Sequence, residues 1–168
     1  MEKDTLLETK FLRADELISE KRISEAIEML ESIIYEEPNF GKAHNHLGWI
    51  YETQIQSSKK AEIHYKQAIK SDPDYKASYI NYAYLLSSQN RFEELKQHLD
   101  KSINVVGINK VSIYNEYGIM YELQGNFKEA INYFKFAIQH CLDSKTIETH
   151  KMSIERCKSK AGFKSLFW

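Results

Sequence analysis

The sequence has few of the residues that break helices or cross-link a chain. Its 168 residues include only two prolines and six glycines, which favours long helices over a sheet with many turns. The two cysteines, Cys141 and Cys157, lack Cys-x-x-Cys spacing. We therefore expect two reduced thiols in a cytoplasmic protein rather than a framework of disulfides.

Strong charge and long apolar runs are also lacking. The net charge is -1, so there is no overall field to draw in nucleic acid or an anionic membrane. The first residues are polar and acidic, and no apolar run approaches the length of a transmembrane helix. These features predict a protein with no signal peptide, no membrane contact and no nucleic acid partner.

Aromatic residues are abundant by contrast, and small residues recur among them with a fixed period. There are eleven tyrosines and eight phenylalanines. Gly118 is preceded, at steps of 35, 35 and 34 residues, by Ala83, Gly48 and Ala14. A second series, at steps of 35, 34 and 35, runs back from Ala130 through Leu95, Ala61 and Ala26. Paired amphipathic segments that repeat every ~34 residues predict a solenoid of helix pairs, in which small residues let two helices approach closely.

Two of these repeats resemble the tetratricopeptide repeat family. The matching residues of the second repeat are Leu47, Gly48, Tyr51, Ala61, Tyr65, Ala68 and Pro73. Those of the fourth repeat are Gly118, Tyr121, Gly125, Phe127, Ala130, Phe134 and Ala137. The first repeat matches more weakly and the third is degenerate. The resemblance implies an all-α fold, a right-handed superhelical solenoid of four helix-turn-helix repeats plus a C-terminal capping helix.

The period divides the chain into consecutive segments. Four repeats are expected over residues 5–142, at about 5–39, 40–74, 75–109 and 110–142. A capping helix is expected at 143–160 and an apolar tail at 161–168. The spacing places one inserted residue in the turn 53–58 and another in 105–109. Three capping boxes predict helix starts, namely Thr5 with Glu8, Asn90 with Glu93, and Asn126 with Glu129.

No arrangement of reactive side chains predicts catalysis or metal binding. His44 and His46 are two residues apart and so point to different sides of a helix. His150 and Cys157 are seven residues apart, and no third metal ligand lies near this pair. A nucleophile elbow and a glycine-rich phosphate loop are both lacking. We therefore expect no enzyme activity, no metal and no cofactor.

The family resemblance implies a binding groove lined by the first helix of each pair. The groove positions, in repeat order, are Glu8, Phe11, Asp15 and Ile18; Lys42, Asn45, Trp49 and Glu52; Ala77, Ile80, Tyr84 and Ser87; and Ser112, Asn115, Ile119 and Glu122. The residues among them that are expected to bind a partner are Phe11, Asn45, Trp49, Ile80, Tyr84, Asn115, Ile119 and Glu122. An asparagine such as Asn45 or Asn115 bonds the backbone of a peptide ligand in some family members. The lysine and arginine clamp that other members use for acidic carboxyl termini is missing. The apolar groove residues form one strip, and an alternative interpretation is that this strip is part of the core. Its residues are Phe11, Trp49, Ile80, Tyr84 and Ile119.

These observations favour a non-enzymatic scaffold that binds a peptide or helix of a partner protein in its groove. Two alternatives stay open, a structural homo-oligomer and a regulatory subunit of an enzyme encoded elsewhere. The tail carries four large apolar side chains, Phe163, Leu166, Phe167 and Trp168. Because Gly162 permits a sharp reversal, we expect the tail to dock on the solenoid or in the groove of a neighbouring protomer, with a disordered tail as the alternative.

Overall fold

The computed structural model describes the backbone of residues 2–165 and the side chains of residues 5–162. This part of the chain is all α-helical and contains nine helices and no strand. The helices are α1 (Glu2–Ser19), α2 (Ile23–Glu36), α3 (Gly41–Thr53), α4 (Ser58–Ser71), α5 (Ala77–Ser88), α6 (Phe92–Ser102), α7 (Lys110–Leu123), α8 (Phe127–Gln139) and α9 (Ser144–Ser165). In the described ranges no helix is long and apolar enough to cross a membrane.

The helices form two compact units, and the division falls within α5. In the first unit, residues 1–85, α1 packs on α2, α2 on α3, and α3 on α4. In the second unit, residues 86–168, α6 packs on α7, α7 on α8, and α8 on α9. Within each unit these helices therefore pack on their neighbours in sequence, as the repeat period predicts.

Small residues bring the two helices of a pair into close contact. A Cβ atom on Gly48 of α3 would lie 2.6 Å from Cδ1 of Tyr65 in α4. A Cβ atom on Gly118 of α7 would lie 2.5 Å from Cε1 of Phe134 in α8. Both rings are fully buried. The predicted role of the periodic glycines, which is to admit an aromatic ring of the partner helix, is confirmed.

The turn inside each helix pair has the same backbone conformation. Left-handed φ angles of 62°, 58°, 55° and 72° occur at Lys21, Gln56, Asn90 and Gly125, which are 35, 34 and 35 residues apart. Each of these residues is followed directly by the N-cap of the next helix. The turn between α3 and α4 spans residues 54–57, one residue longer than the turns 20–22, 89–91 and 124–126, so the predicted insertion is confirmed.

Two of the three predicted capping boxes are wrong. Asn126 does cap α8, since its side chain accepts a hydrogen bond from the Glu129 N–H. Asn90 instead occupies the left-handed turn position, which asparagine tolerates well, and Arg91 is the N-cap of α6. Helix α1 begins at Glu2, so Thr5 lies inside the first turns and its carbonyl accepts a bond from the Thr9 hydroxyl.

Helix α9 packs its apolar stripe on α8, as expected of a capping helix. Ile154 and Cys157 form a buried cluster with Ala130 and Phe134. The helix continues through Gly162 to Ser165, so the predicted reversal at that glycine is wrong. One glycine costs a helix only ~1 kcal/mol, which does not end it. The predicted docking of the tail concerns Phe163, Leu166, Phe167 and Trp168, whose side chains lie outside the described residues.

Candidate functional site

A cleft of about 340 Å³ opens in the first unit between the first helices of successive repeats. Its lining residues are Asp15 and Ile18 of α1, Asn45, His46 and Trp49 of α3, and Asn81 of α5. The cleft contains four of the residues predicted for the groove, Asp15, Ile18, Asn45 and Trp49. It also contains His46 and Asn81, which the sequence analysis did not assign to the groove.

Helix geometry explains why these side chains share one surface. Asn45 and Trp49 are four residues apart, and so lie on one face of α3. Leu47 lies on the opposite face and is buried, and Gly48 lies against Tyr65 of α4. His46 and Trp49 are three residues apart, as are Asp15 and Ile18, so each pair also shares a helix face. The spacing to Trp49 is the sequence signal that could have assigned His46 to the groove.

A side-chain amide pair joins α3 to α5 at the floor of the cleft. Nδ2 of Asn81 donates a hydrogen bond of 3.1 Å to Oδ1 of Asn45. Asn45 is almost fully buried, whereas Asn81 is half-buried. The oxygen predicted to meet a ligand backbone therefore already accepts a bond from the next repeat. Asn81 follows Asn45 by 36 residues, one more than the usual step, which is why the period did not predict it.

An aromatic contact and a polar contact join α1 to α3 in the cleft. Oδ1 of Asp15 lies 3.3 Å from Nε2 of His46. The His46 ring packs edge-on against Phe11 with a centroid distance of 4.6 Å, and Phe11 also contacts Phe40 at 5.8 Å. Phe11 was predicted to line the groove, but it is buried and packs against the His46 ring.

The remaining predicted groove residues lie outside this cleft. Ile80 is half-buried and Tyr84 is 43% exposed on α5, and neither is among the lining residues. In the second unit, Asn115 donates a 3.1 Å hydrogen bond to Glu116. Ile119 packs against the cluster formed by α8 and α9.

Glu122 is held by the terminal helix. Arg156 of α9 donates two hydrogen bonds to its carboxylate, of 2.7 and 2.6 Å, and Lys160 adds a third of 2.7 Å. The Arg156 hydrogen bonds, with that of Lys160 and the two positive charges, lower the pKa of the Glu122 carboxyl to about 2 although burial opposes the shift. Residues 122 and 156 are one period of 34 apart, a signal that the groove interpretation did not use.

The histidines of α3 take different sides of the helix, as predicted. His44 lies against α4, where its Nδ1 is 3.1 Å from Nδ1 of His64, and its Nε2 is 3.0 Å from the Pro38 carbonyl. Burial first, with the nearby positive charges of His44 and Lys60, lowers the pKa of His64 to about 4. Within the described residues no three His, Cys, Asp or Glu side chains gather closely enough to hold a metal ion.

Comparisons with known proteins agree with this architecture. One model of the tetratricopeptide repeat matches residues 41–75 and 111–139, and a second matches residues 64–97. Among solved structures, pilF of Pseudomonas aeruginosa superposes with a TM-score of 0.83 at 17% identity, covering 96% of this chain and 71% of that one. No curated protein matches the sequence.

Two further solved structures share the fold. MamA superposes with a TM-score of 0.74 at 16% identity, covering 95% of this chain and 84% of that one. YrrB, described as a TPR protein with an unusual peptide-binding site, superposes with a TM-score of 0.71 at 13% identity, covering 93% of this chain and 76% of that one. Likeness at these identities establishes the fold, an all-α solenoid of helical repeats.

Proposed function

Because the chain belongs to the tetratricopeptide repeat family, we propose that it is a non-enzymatic scaffold that binds a peptide or helix of a partner protein. The proposed site is the cleft between α1, α3 and α5, defined by Trp49, Ile18 and the Asn45–Asn81 amide pair. Ile80 and Tyr84 of α5 are proposed as flanking contacts, with Asn115 and Ile119 as contacts in the second unit. Glu122 is assigned to the docking of α9.

The observation that supports this proposal most directly is the half-buried Trp49 in the wall of the cleft. The cleft combines apolar side chains with a few hydrogen-bonding groups, a combination typical of ligand sites. Tryptophan is also among the residues that contribute most to protein interfaces. A peptide could therefore bury an apolar side chain against Trp49 and Ile18 and bond the half-buried Asn81 amide with its backbone.

Selection of binders from a displayed library of random peptides tests the proposal. Peptides selected on the parent protein should lose at least about tenfold in affinity for Trp49→Ala, as expected for an interface hot spot. Trp49→Ala should lower the free energy of unfolding by less than the ~3–5 kcal/mol typical of removing a fully buried aromatic side chain. Circular dichroism and thermal melting measure that cost.

Tyr35→Ala is the matched control, because Tyr35 of α2 is 89% exposed and is not a lining residue of the cleft. Selected peptides should bind this variant with unchanged affinity. The proposal fails if no peptide is selected, or if both aromatic variants bind the selected peptides equally well. Light scattering of the parent protein separates peptide binding from self-association.

A further inference from the structure

We propose that the cleft selects partners that present a cationic side chain, arginine above lysine, between the Trp49 indole and the Asp15 carboxylate. This inference rests on the proposed function and names the chemistry of the ligand. Both residues line the same cleft.

The Asp15 carboxylate is accessible and incompletely paired. Its side chain is 62% exposed. Among the described side chains, the polar atom within hydrogen-bonding distance is Nε2 of His46, which lies 3.3 Å from Oδ1. Tyr75 is a further titratable neighbour, since the charges of Asp15, Asp72 and Lys42 act on its hydroxyl. One carboxylate oxygen is thus left to accept a bond from a ligand.

His46 supplies no donor to Asp15 when its ring is neutral. Nδ1 of His46 lies 3.1 Å from the Lys42 carbonyl, which can only accept a hydrogen bond. The proton of a neutral ring is therefore assigned to Nδ1, and Nε2 then turns a lone pair toward the carboxylate. Since His46 approaches Oδ1 alone, Oδ2 of Asp15 is open to a ligand cation.

The predicted groove positions of α1 and α3 carry more acidic than basic side chains. They include Glu8, Asp15 and Glu52 but only one lysine, Lys42, and of these four Asp15 lines the cleft. Nζ of Lys42 already donates a 2.8 Å bond to Glu8. Glu52 accepts a 2.7 Å bond from the Tyr65 hydroxyl, which is neutral. The net negative charge complements a cationic ligand and disfavours an acidic one.

Trp49 favours arginine within the class of cations. Tryptophan is the best aromatic partner for a cation. A guanidinium group can stack on an indole with its flat face while its edge donates hydrogen bonds to a carboxylate, which the ammonium of lysine does less well. Ile18 offers an apolar surface to the aliphatic stem of such a side chain.

The test uses two blocked peptides that differ in one central residue, arginine or its uncharged isostere citrulline, flanked by alanines. Each is titrated into the full chain at mildly alkaline pH while NMR follows the Trp49 indole N–H, which is assigned with Trp49→Phe. We expect the arginine peptide to bind about fivefold more tightly, equivalent to ~1 kcal/mol for an exposed charged pair. A third peptide, with lysine at the central position, should bind with intermediate affinity.

The decisive measurement is the coupling between the ligand charge and Asp15. In Asp15→Asn the two peptides should bind equally, whereas in the control Glu16→Gln the fivefold difference should persist. Glu16 is the next residue of α1, its side chain is 63% exposed and it pairs with Arg13, so the control removes the same charge outside the cleft. Circular dichroism verifies that both variants are folded.

Equal binding of the two peptides by the parent, no indole shift with either, or a difference that survives in Asp15→Asn overturns the inference. The proposed function is judged separately by the displayed library. Selected peptides that depend on Trp49 but lack basic residues would refute the cationic preference while leaving the scaffold role intact. A library that yields no peptide would refute the scaffold role itself.

Discussion

Gly118→Ala adds one methyl group where the two helices of the fourth repeat touch. The new Cβ atom would lie 2.5, 2.7 and 2.9 Å from Cε1, Cδ1 and Cζ of Phe134, whereas ordinary contact lies at 3.4–4 Å. The Phe134 ring has no free space to enter. It is fully buried, stacks on His150, and packs against Ile154 and Cys157.

The cost of this methyl group can be worked from two opposing effects. Overpacking a well-packed core costs ~1–3 kcal/mol, and three contacts below 3.0 Å place this site at the upper end. Alanine is favoured over glycine inside a helix by ~1 kcal/mol. We therefore expect a net loss of ~2 kcal/mol, which lowers the melting temperature of a chain of this size by ~4–8 °C.

Thermal melting and urea denaturation measure this loss, with Gly162→Ala as the matched control. Gly162 is also helical, but no atom lies within 4 Å of a Cβ built there. The control should keep the parent's stability or gain up to ~1 kcal/mol. Phe134→Leu should act as a partial suppressor, because a smaller side chain makes room for the methyl group, so the two changes should be non-additive.

The reasoning would be refuted by a Gly118→Ala variant that melts at or above the parent's temperature. It would also be refuted if the variant lost the same stability in the Phe134→Leu background, because the loss would then have another origin. Gly118→Leu should be less stable still, since the larger side chain meets the same ring.

Two predictions concern pH. Glu122→Gln should lose ~1–3 kcal/mol at neutral pH, since the carboxyl pKa falls from 4.5 to about 2 through Arg156 and Lys160. This stabilisation is complete above pH 4.5 and is lost as pH falls through about 2, so urea unfolding of the variant should depend less on pH there, and an unchanged profile would contradict it. In the parent, the neutral forms of His44 and His64 contribute stability that is complete above pH 6.5 and is lost as pH falls to about 4. The stability of His64→Gln should therefore depend less on pH over this range. A parent whose stability is constant over the same range would refute this prediction.

Much of the fold could be predicted because its causes are local and repeated. The bounds of α3, Gly41–Thr53, agree with the apolar spacing and with the turn that follows. The contact of Gly118 with an aromatic ring follows from the small residue and the ring recurring in phase. Helical periodicity and a constant step between repeats are both legible in one sequence.

Side-chain partners were harder to predict, because a groove position can face a ligand or a side chain of the next repeat. Asn45, Phe11 and Glu122 occupy predicted groove positions, yet each already contacts another part of its own unit. The sequence does not predict the left-handed conformation of Lys21 and Gln56, since neither residue type favours it. The repeat position, rather than the residue, determines that conformation.

The packing of helices on their sequence neighbours within each unit also has a kinetic consequence. The described helices are joined by connections of three to seven residues, so the contacts within a pair form by closing short loops. Loop closure of this kind costs little chain entropy, and proteins rich in local contacts fold quickly. The chain should therefore acquire its structure pair by pair as its residues become available, with little need to bring distant segments together first.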